Sequence, residues 1–319
     1  MAPRRGNSGK ARLIALSLAF VSMVFLLVAW RSSNGEDPAN QQKNLQTVSG
    51  AQMPSGRPAL KDCVLSALEQ AKDVWSSFVP VINGCASKHT KITSKDMFHL
   101  NMGRLGEKKY FLPLKHLQQQ SAPKCLWLTV GIGGDDQVEK EFHAKYPDCG
   151  IFGIEPGVNQ SAEFDRVGTV INVAAGVYPD TLPMNVRIST KYAWKTIPVV
   201  PLDQILDQHL KSLRVYFATM DIEGFEYTLL TGLERRRRFG QKGVSFCQID
   251  AELHDWKMTA KWRDDFATFD AFFRSLMLNT DLLPIHAGSF LTHKKVTLVN
   301  VGDEECVKAF DLTRAMSSS

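Results

Sequence analysis

A chain of 319 residues, 44% of them hydrophobic, can hold one large domain or two small ones with a full apolar core. Its formal net charge of +5 sits at one end: Arg4, Arg5, Lys10, Arg12 and Arg31 lie in the first 31 residues with no acid, and the remainder is neutral. A nucleic-acid partner therefore has no electrostatic support.

Residues 1–12 read as a short cytoplasmic tail. Residues 13–30 form an uncharged apolar run of 18 residues, which as a helix spans about 27 Å, near the thickness of an endoplasmic-reticulum bilayer. A cleaved signal peptide has a shorter apolar core and small residues before the cut, whereas this run closes on Leu27-Val28-Ala29-Trp30. It reads as a signal anchor, with a cleaved, secreted form as the alternative. The basic tail keeps its end cytoplasmic, so the expectation is a single-pass type II membrane protein facing the Golgi or endoplasmic-reticulum lumen. Residues 31–60, rich in Ser, Asn, Gln, Gly and Pro, read as a flexible stem. In 61–120, Val64, Leu65, Leu68, Ala71, Val74, Trp75 and Phe78 recur at helical spacing, which predicts a small helical subdomain.

Residues 121–319 alternate between the two periodicities. Strands are predicted over 126–130, 151–154, 170–174, 215–220, 244–249 and 296–301, and helices over 137–146, 202–210, 225–238 and 262–278. That alternation implies an α/β fold, Rossmann-like, with a mostly parallel sheet and helices on both faces. The proline-marked stretch 177–200 breaks the rhythm and reads as a hairpin-like insertion. Cys125 opens the first strand and Cys149 precedes the second, so parallel neighbours bring both to one edge and predict their pairing. Cys63–Cys85 and Cys247–Cys306 then follow by elimination. Six cysteines suit an oxidising lumen.

Ligands of an open parallel sheet bind outside the carboxyl ends of its strands. Gly131-Ile132-Gly133-Gly134 follows the first strand, where residues without a Cβ allow a sharp turn and close approach to a ligand. Glu155 ends the next strand, 24 residues after Gly131, where a carboxylate accepts from ribose hydroxyls. No Gly-Lys-Ser/Thr follows the turn, which excludes a P-loop. Asp135 and Asp136 would repel a pyrophosphate but suit a ligand carrying an ammonium and a sulfonium, which points to S-adenosylmethionine. The fourth strand ends in Asp221-Ile222-Glu223-Gly224-Phe225-Glu226, with Asp221 and Glu223 expected on one side of it and Glu226 complementing the helix dipole. The fifth ends in Asp250, Glu252 and His254 at period two. Two roles are open for this cluster. His254 can act as a general base on an acceptor hydroxyl, or the acids and His254 can hold a divalent metal that lowers that hydroxyl's pKa. Asn159 is a glycosylation sequon four residues after Glu155, where a glycan would crowd the ligand, so it is expected to stay largely unmodified or to project its glycan off the next helix; Arg235–Arg238 reads as a solvated helix face.

The strings Val130-Gly131-Ile132-Gly133, Gly153-Ile154-Glu155-Pro156, Val200-Pro201-Leu202-Asp203, Asp221-Ile222-Glu223-Gly224-Phe225-Glu226 and Ile249-Asp250-Ala251-Glu252-Leu253-His254 together resemble the FkbM-type S-adenosylmethionine-dependent methyltransferases, in the secreted or membrane-anchored form common in invertebrate genomes. The resemblance implies a seven-stranded class I methyltransferase sheet and O-methylation of a hydroxyl on a glycan, glycolipid or small molecule. It also implies cofactor contacts from Gly131, Ile132, Gly133 and Glu155, with Asp221 at the methionine end. The chain departs from the family at Thr129, where the family has an acid, and at Asp135, where it has a glycine. Asp135 is expected to take the methionine ammonium in place of the missing acid. A metal-dependent Golgi glycosyltransferase and a non-catalytic methyltransferase-like binding protein remain as alternatives.

Overall fold

Every residue of the strand Leu126–Val130 is buried, and the strand lies inside a seven-stranded sheet. Such a run needs apolar cover on both faces, as a central parallel strand has. The structure is a computed structural model that describes residues 57–103, 106–116, 125–157, 159–188, 191–257, 259 and 266–316. The expected tail (1–12), anchor (13–30) and most of the stem lie outside the described residues. Among the described residues no helix is long and apolar enough to cross a membrane.

The sheet order is Leu282–Phe290, His293–Asn300, Gln248–Leu253, Phe217–Met220, Leu126–Val130, Gly150–Ile154 and Thr169–Ile171. Neighbours are parallel from Gln248–Leu253 through Thr169–Ile171, while His293–Asn300 runs antiparallel to both strands beside it. The expected α/β sheet is therefore present, with its reversed strand near one edge. On one face Trp127 and Phe217 pack against Phe142 of helix Gln137–Lys145, at ring-centroid distances of 4.3 and 5.1 Å. Helices Glu226–Gly232 and Phe269–Asn279 meet through Tyr227 and Phe272 (4.9 Å) and cover the other face. Helix Val74–His89 joins them there through Phe78 against Phe269 and Phe273.

All three expected disulfides form: Cys63–Cys85 ties helix Arg57–Glu69 to helix Val74–His89, Cys125–Cys149 ties two strand starts, and Cys247–Cys306 ties a strand to helix Glu304–Ala309. The stretch 177–200 is the expected hairpin, Asp180–Ile188 with Lys191–Pro201.

Several boundaries differ from the sequence reading. Only the first part of 61–120 is helical; Phe98–Asn101 and Lys108–Phe111 form a β-hairpin. That hairpin docks on the sheet through side chains of a buried strand. Gln248 Oε1 accepts from Leu112 N, its Nε2 donates to Leu112 O, and Asp250 Oδ2 accepts from Tyr110 N, at 2.8, 3.0 and 2.8 Å. Two polar residues inside a wholly buried strand are thus accounted for. The strand expected over 170–174 stops at Ile171, and Ala174–Gly176 leaves to pair with Lys191–Pro201. The helix expected over 225–238 breaks after Gly232, because Arg235 N donates to the Asn279 carbonyl and its guanidinium binds Asp281. The arginine run is solvated at Arg235, Arg236 and Arg237, as expected, but these are not helical, and Arg238 holds the buried Asp203 through two bonds of 2.7 and 2.9 Å. Helix Phe269–Asn279 starts where Thr268 caps Ala271 N; of the helix expected over 262–278, residues 262–265 lie outside the described residues and 266–268 are not helical. The strand Leu282–Phe290 carries Pro284 and Gly288, which hid it from pattern reading.

Candidate active site

The glycine turn and the two acidic junctions meet. Gly131 N donates to Ile154 O at 2.9 Å, and Asp221 N donates to Val130 O at 3.0 Å, so three strand ends lie side by side. A Cβ on Gly131, whose φ is +91°, would lie 2.0 Å from the Asp221 carbonyl oxygen. No other residue fits there. Gly133 and Gly134 continue the turn at φ +61° and +79°. Ile132 sends its side chain inward against Gly153, which leaves only its backbone at the rim.

Glu155 is buried and fixed by the same turn: Oε2 accepts from Gly133 N at 2.9 Å and Oε1 from Gly157 N at 2.7 Å. Each oxygen keeps a further lone pair for a ligand hydroxyl. Burial raises its pKa, opposed by the backbone donors Gly133, Gly157 and Ile132. Asp135 stands where the helix begins, with Oδ1 accepting from Gln137 N and Gly103 N at 3.1 and 3.3 Å. It is expected at the ammonium of the ligand, and here it links the glycine turn to the N-terminal hairpin. The exposed Asn159 follows, while its neighbour Gln160 turns inward and accepts Gly134 N through its carbonyl.

Across the crevice, Asp221, Glu223 and His254 converge. His254 Nε2 lies 3.9 Å from Asp221 Oδ1 and 3.5 Å from Glu223 Oε2. Strand alternation does not produce this meeting, because the strand ends at Met220 and the acids sit on the turn that follows. Glu223 adopts φ +57° before Gly224 at +106°, a left-handed pair that brings the Glu223 carboxylate back over the strand end. Glu226, expected only to complement a helix dipole, is completely buried and does more. Its Oε1 takes Ile222 N at 2.6 Å and His254 Nδ1 at 2.9 Å. Burial alone would lower the His254 pKa; Glu226 first, then Asp221 and Glu223, outweigh it and push it up to about 10. The unliganded imidazole therefore carries both protons at neutral pH, a form that cannot accept one from a hydroxyl.

Beneath these groups the hairpin delivers Glu107 and Lys109, which pattern reading did not single out. Lys109 Nζ lies 2.7 Å from Glu107 Oε1 and 3.7 Å from Asp221 Oδ2, and Lys295 bonds Glu107 and Asp250. Burial raises the Asp221 pKa, but Lys109 and His254 more than offset this and hold it low. Burial, with Asp221 and Glu107 close by, instead pushes Glu252 up to about 8. Thr129 is buried between Trp127 Nε1, which donates to it at 2.8 Å, and Glu139, to which it donates. Glu139 thus places a carboxyl beside the position where the family carries its acid. Only Glu226 stood in a string already singled out; Glu107, Lys109 and Glu139 carry no local signal that would have found them.

A family model described as Methyltransferase FkbM domain matches residues 92–278. No curated protein matches the chain significantly. Among solved structures, a mutant 16S rRNA (adenine(1408)-N(1))-methyltransferase from Catenulisporales acidiphilia is similar at 10% identity and a TM-score of 0.29, covering 65% of this chain and 100% of that one. The antibiotic-resistance methyltransferase Kmr is similar at 12% identity and a TM-score of 0.30, with the same coverage of 65% and 100%.

Proposed function

We propose, on the premise that the chain belongs to the FkbM methyltransferase domain family, that it O-methylates a hydroxyl of a glycan, glycolipid or small molecule in the secretory-pathway lumen. Family membership makes it a methyltransferase with a class I fold that uses S-adenosylmethionine. The acceptor class, the anchor at 13–30 and the Golgi or endoplasmic-reticulum address are our reading of the sequence. The lumenal part of it is supported by three disulfides among the described residues.

One observation carries the site assignment: Gly131, Glu155 and Asp221 lie at adjoining strand ends, with the Glu155 carboxylate bonded to the glycine turn itself. That arrangement fits the cofactor, because Glu155, held against the glycine turn through Gly133 N and Gly157 N, retains acceptor capacity for a ribose diol. Asp221 is left at the methionine end. Bound there, S-adenosylmethionine supplies a methyl group that the acceptor oxygen takes, while the S–C electron pair stays on sulfur and the hydroxyl proton departs. The chain's own residues orient that hydroxyl, and its proton passes to solvent. Asp221 and Glu223 offer carboxylates on the solvent side of His254, and a divalent cation at the same rim belongs to this reading.

Calorimetry of the full chain with S-adenosylhomocysteine and with UDP-sugars is the test, followed by labelled methyl transfer to secretory-pathway glycans. S-adenosylhomocysteine binding that Glu155→Ala abolishes is expected. Binding of a UDP-sugar alone would favour a glycosyltransferase, and binding of neither a non-catalytic domain.

A further inference from the structure

We propose that His254 Nε2, Asp221 Oδ1 and Glu223 Oε2 form a divalent-cation site, with the Glu252 carboxylate available as a fourth ligand. The role of the cation rests on the methyltransferase reading, but its binding does not.

The distances are the first argument. At 3.5 and 3.9 Å, the two carboxylate oxygens are too far from Nε2 for charge-assisted hydrogen bonds. Each is a separation that Nε2 and one further ligand of a shared ion can have. Bonds of about 2.1 Å separate ligand atoms by about 3.0 Å at right angles and about 3.9 Å at a wide angle.

The tautomer is the second. His254 Nδ1 is committed to Glu226, a completely buried carboxylate that Ile222 N also holds in place. This is how a metal-binding histidine is oriented: its other ring nitrogen donates to a carboxylate, so Nε2 presents its lone pair to the ion.

Glu252 supplies an independent observation. It is 3% exposed, and its Oε2 has no hydrogen-bond partner among the described residues. Its carboxylate lies within 4.8 Å of ligand atoms of His254 and His293 in one group of donors and of Glu107 and Asp221 in another. A buried carboxylate oxygen without a donor is costly, and a cation supplies the missing partner. No lysine bonds that oxygen: Lys295 Nζ lies on Glu107 and Asp250, and Lys109 Nζ lies between Glu107 and Asp221.

Other ligand sets nearby fit less well. His293 Nδ1 accepts the Asp255 N–H at 3.0 Å, which leaves the proton of a neutral ring on Nε2, so His293 packs against His254 rather than coordinating. Glu107 is neutralised by two lysines. One imidazole and two or three carboxylates suit manganese or zinc. Positions left open on the side of the exposed Glu223 would admit the acceptor hydroxyl and ease the loss of its proton to solvent.

Manganese binding to the full chain, stripped with chelator and free of any adenosyl ligand, is the test, read from the loss of the free-ion paramagnetic resonance signal. One ion per chain is expected, with affinity at least about tenfold weaker in Asp221→Asn and in Glu223→Gln. Glu163→Gln, remote and exposed, should bind as the parent does. Glu223 lies on the surface, so Glu223→Gln separates lost ligation from lost folding, and the thermal unfolding of each variant confirms it. Failure to saturate with manganese, or parent affinity in Glu223→Gln, overturns the site. S-adenosylhomocysteine calorimetry on the same stripped chain keeps the readings apart: cofactor binding without manganese binding overturns only the cation site, and manganese binding without cofactor binding supports the site and sinks the methyltransferase reading.

Discussion

Glu139 gives a prediction that can be worked through in numbers. Its side chain is 2% exposed against Thr129, and burial is the largest influence on it, pushing its pKa from 4.5 up to about 7. Thr129 and Lys109 oppose the shift without cancelling it. The native chain thus holds a proton that the unfolded chain has lost between those two values, so stability falls as pH rises through this window and levels off above it. At about 1.4 kcal/mol per pKa unit, the loss between about pH 5 and about pH 8 is roughly 2–3 kcal/mol. Glu139→Gln keeps the size and the acceptor for Thr129 but does not titrate. Urea unfolding of parent and variant at both pH values, disulfides intact, isolates the contribution, because other titrating groups cancel in the difference of differences. The variant should gain on the parent by roughly 2–3 kcal/mol at the higher pH relative to the lower. An equal gap at both pH values would show that Glu139 is ionised in the native state and that the burial argument is wrong.

Gly131→Ala should cost about 3 kcal/mol or more and abolish S-adenosylhomocysteine binding, since the new methyl would meet the Asp221 carbonyl at 2.0 Å; an unchanged urea midpoint would contradict the close approach. Glu155→Gln should weaken S-adenosylhomocysteine roughly tenfold or more by calorimetry, through loss of charge-assisted acceptance from the ribose. Arg238→Ala leaves the buried Asp203 without its bidentate partner and should cost about 2 kcal/mol, while in the double variant with Asp203→Asn a large part of that cost should disappear. Asn159, expected from the sequence to stay largely unmodified or to project its glycan away, is exposed, so a chain passing through the lumen should carry a glycan there, seen as a glycosidase-sensitive mobility shift that Asn159→Gln removes.

The sequence by itself determined the elements whose signals are local. Alternating runs of apolar residues gave the parallel strands, and each strand–turn–helix junction already carried Gly131, Glu155, Asp221 or His254 in place. The cysteine pairing at 125 and 149 followed from two neighbouring strand starts. These features were legible because the period of a strand and the conformational freedom of glycine act over a few residues. Other features depended on groups distant in the chain. Lys109 reaches Asp221 from 112 residues away, Glu107 meets Lys295 across 188, and Gln248 holds Leu112 across 136. No local pattern distinguishes Glu226 from a surface acid; burial beside His254 makes it the group that sets the imidazole's orientation and charge. Sequence placed the reactive groups at the ends of their strands. Tertiary packing decided which of them are charged and which touch, because desolvation and Coulomb energy depend on distances in space that the order of residues does not contain.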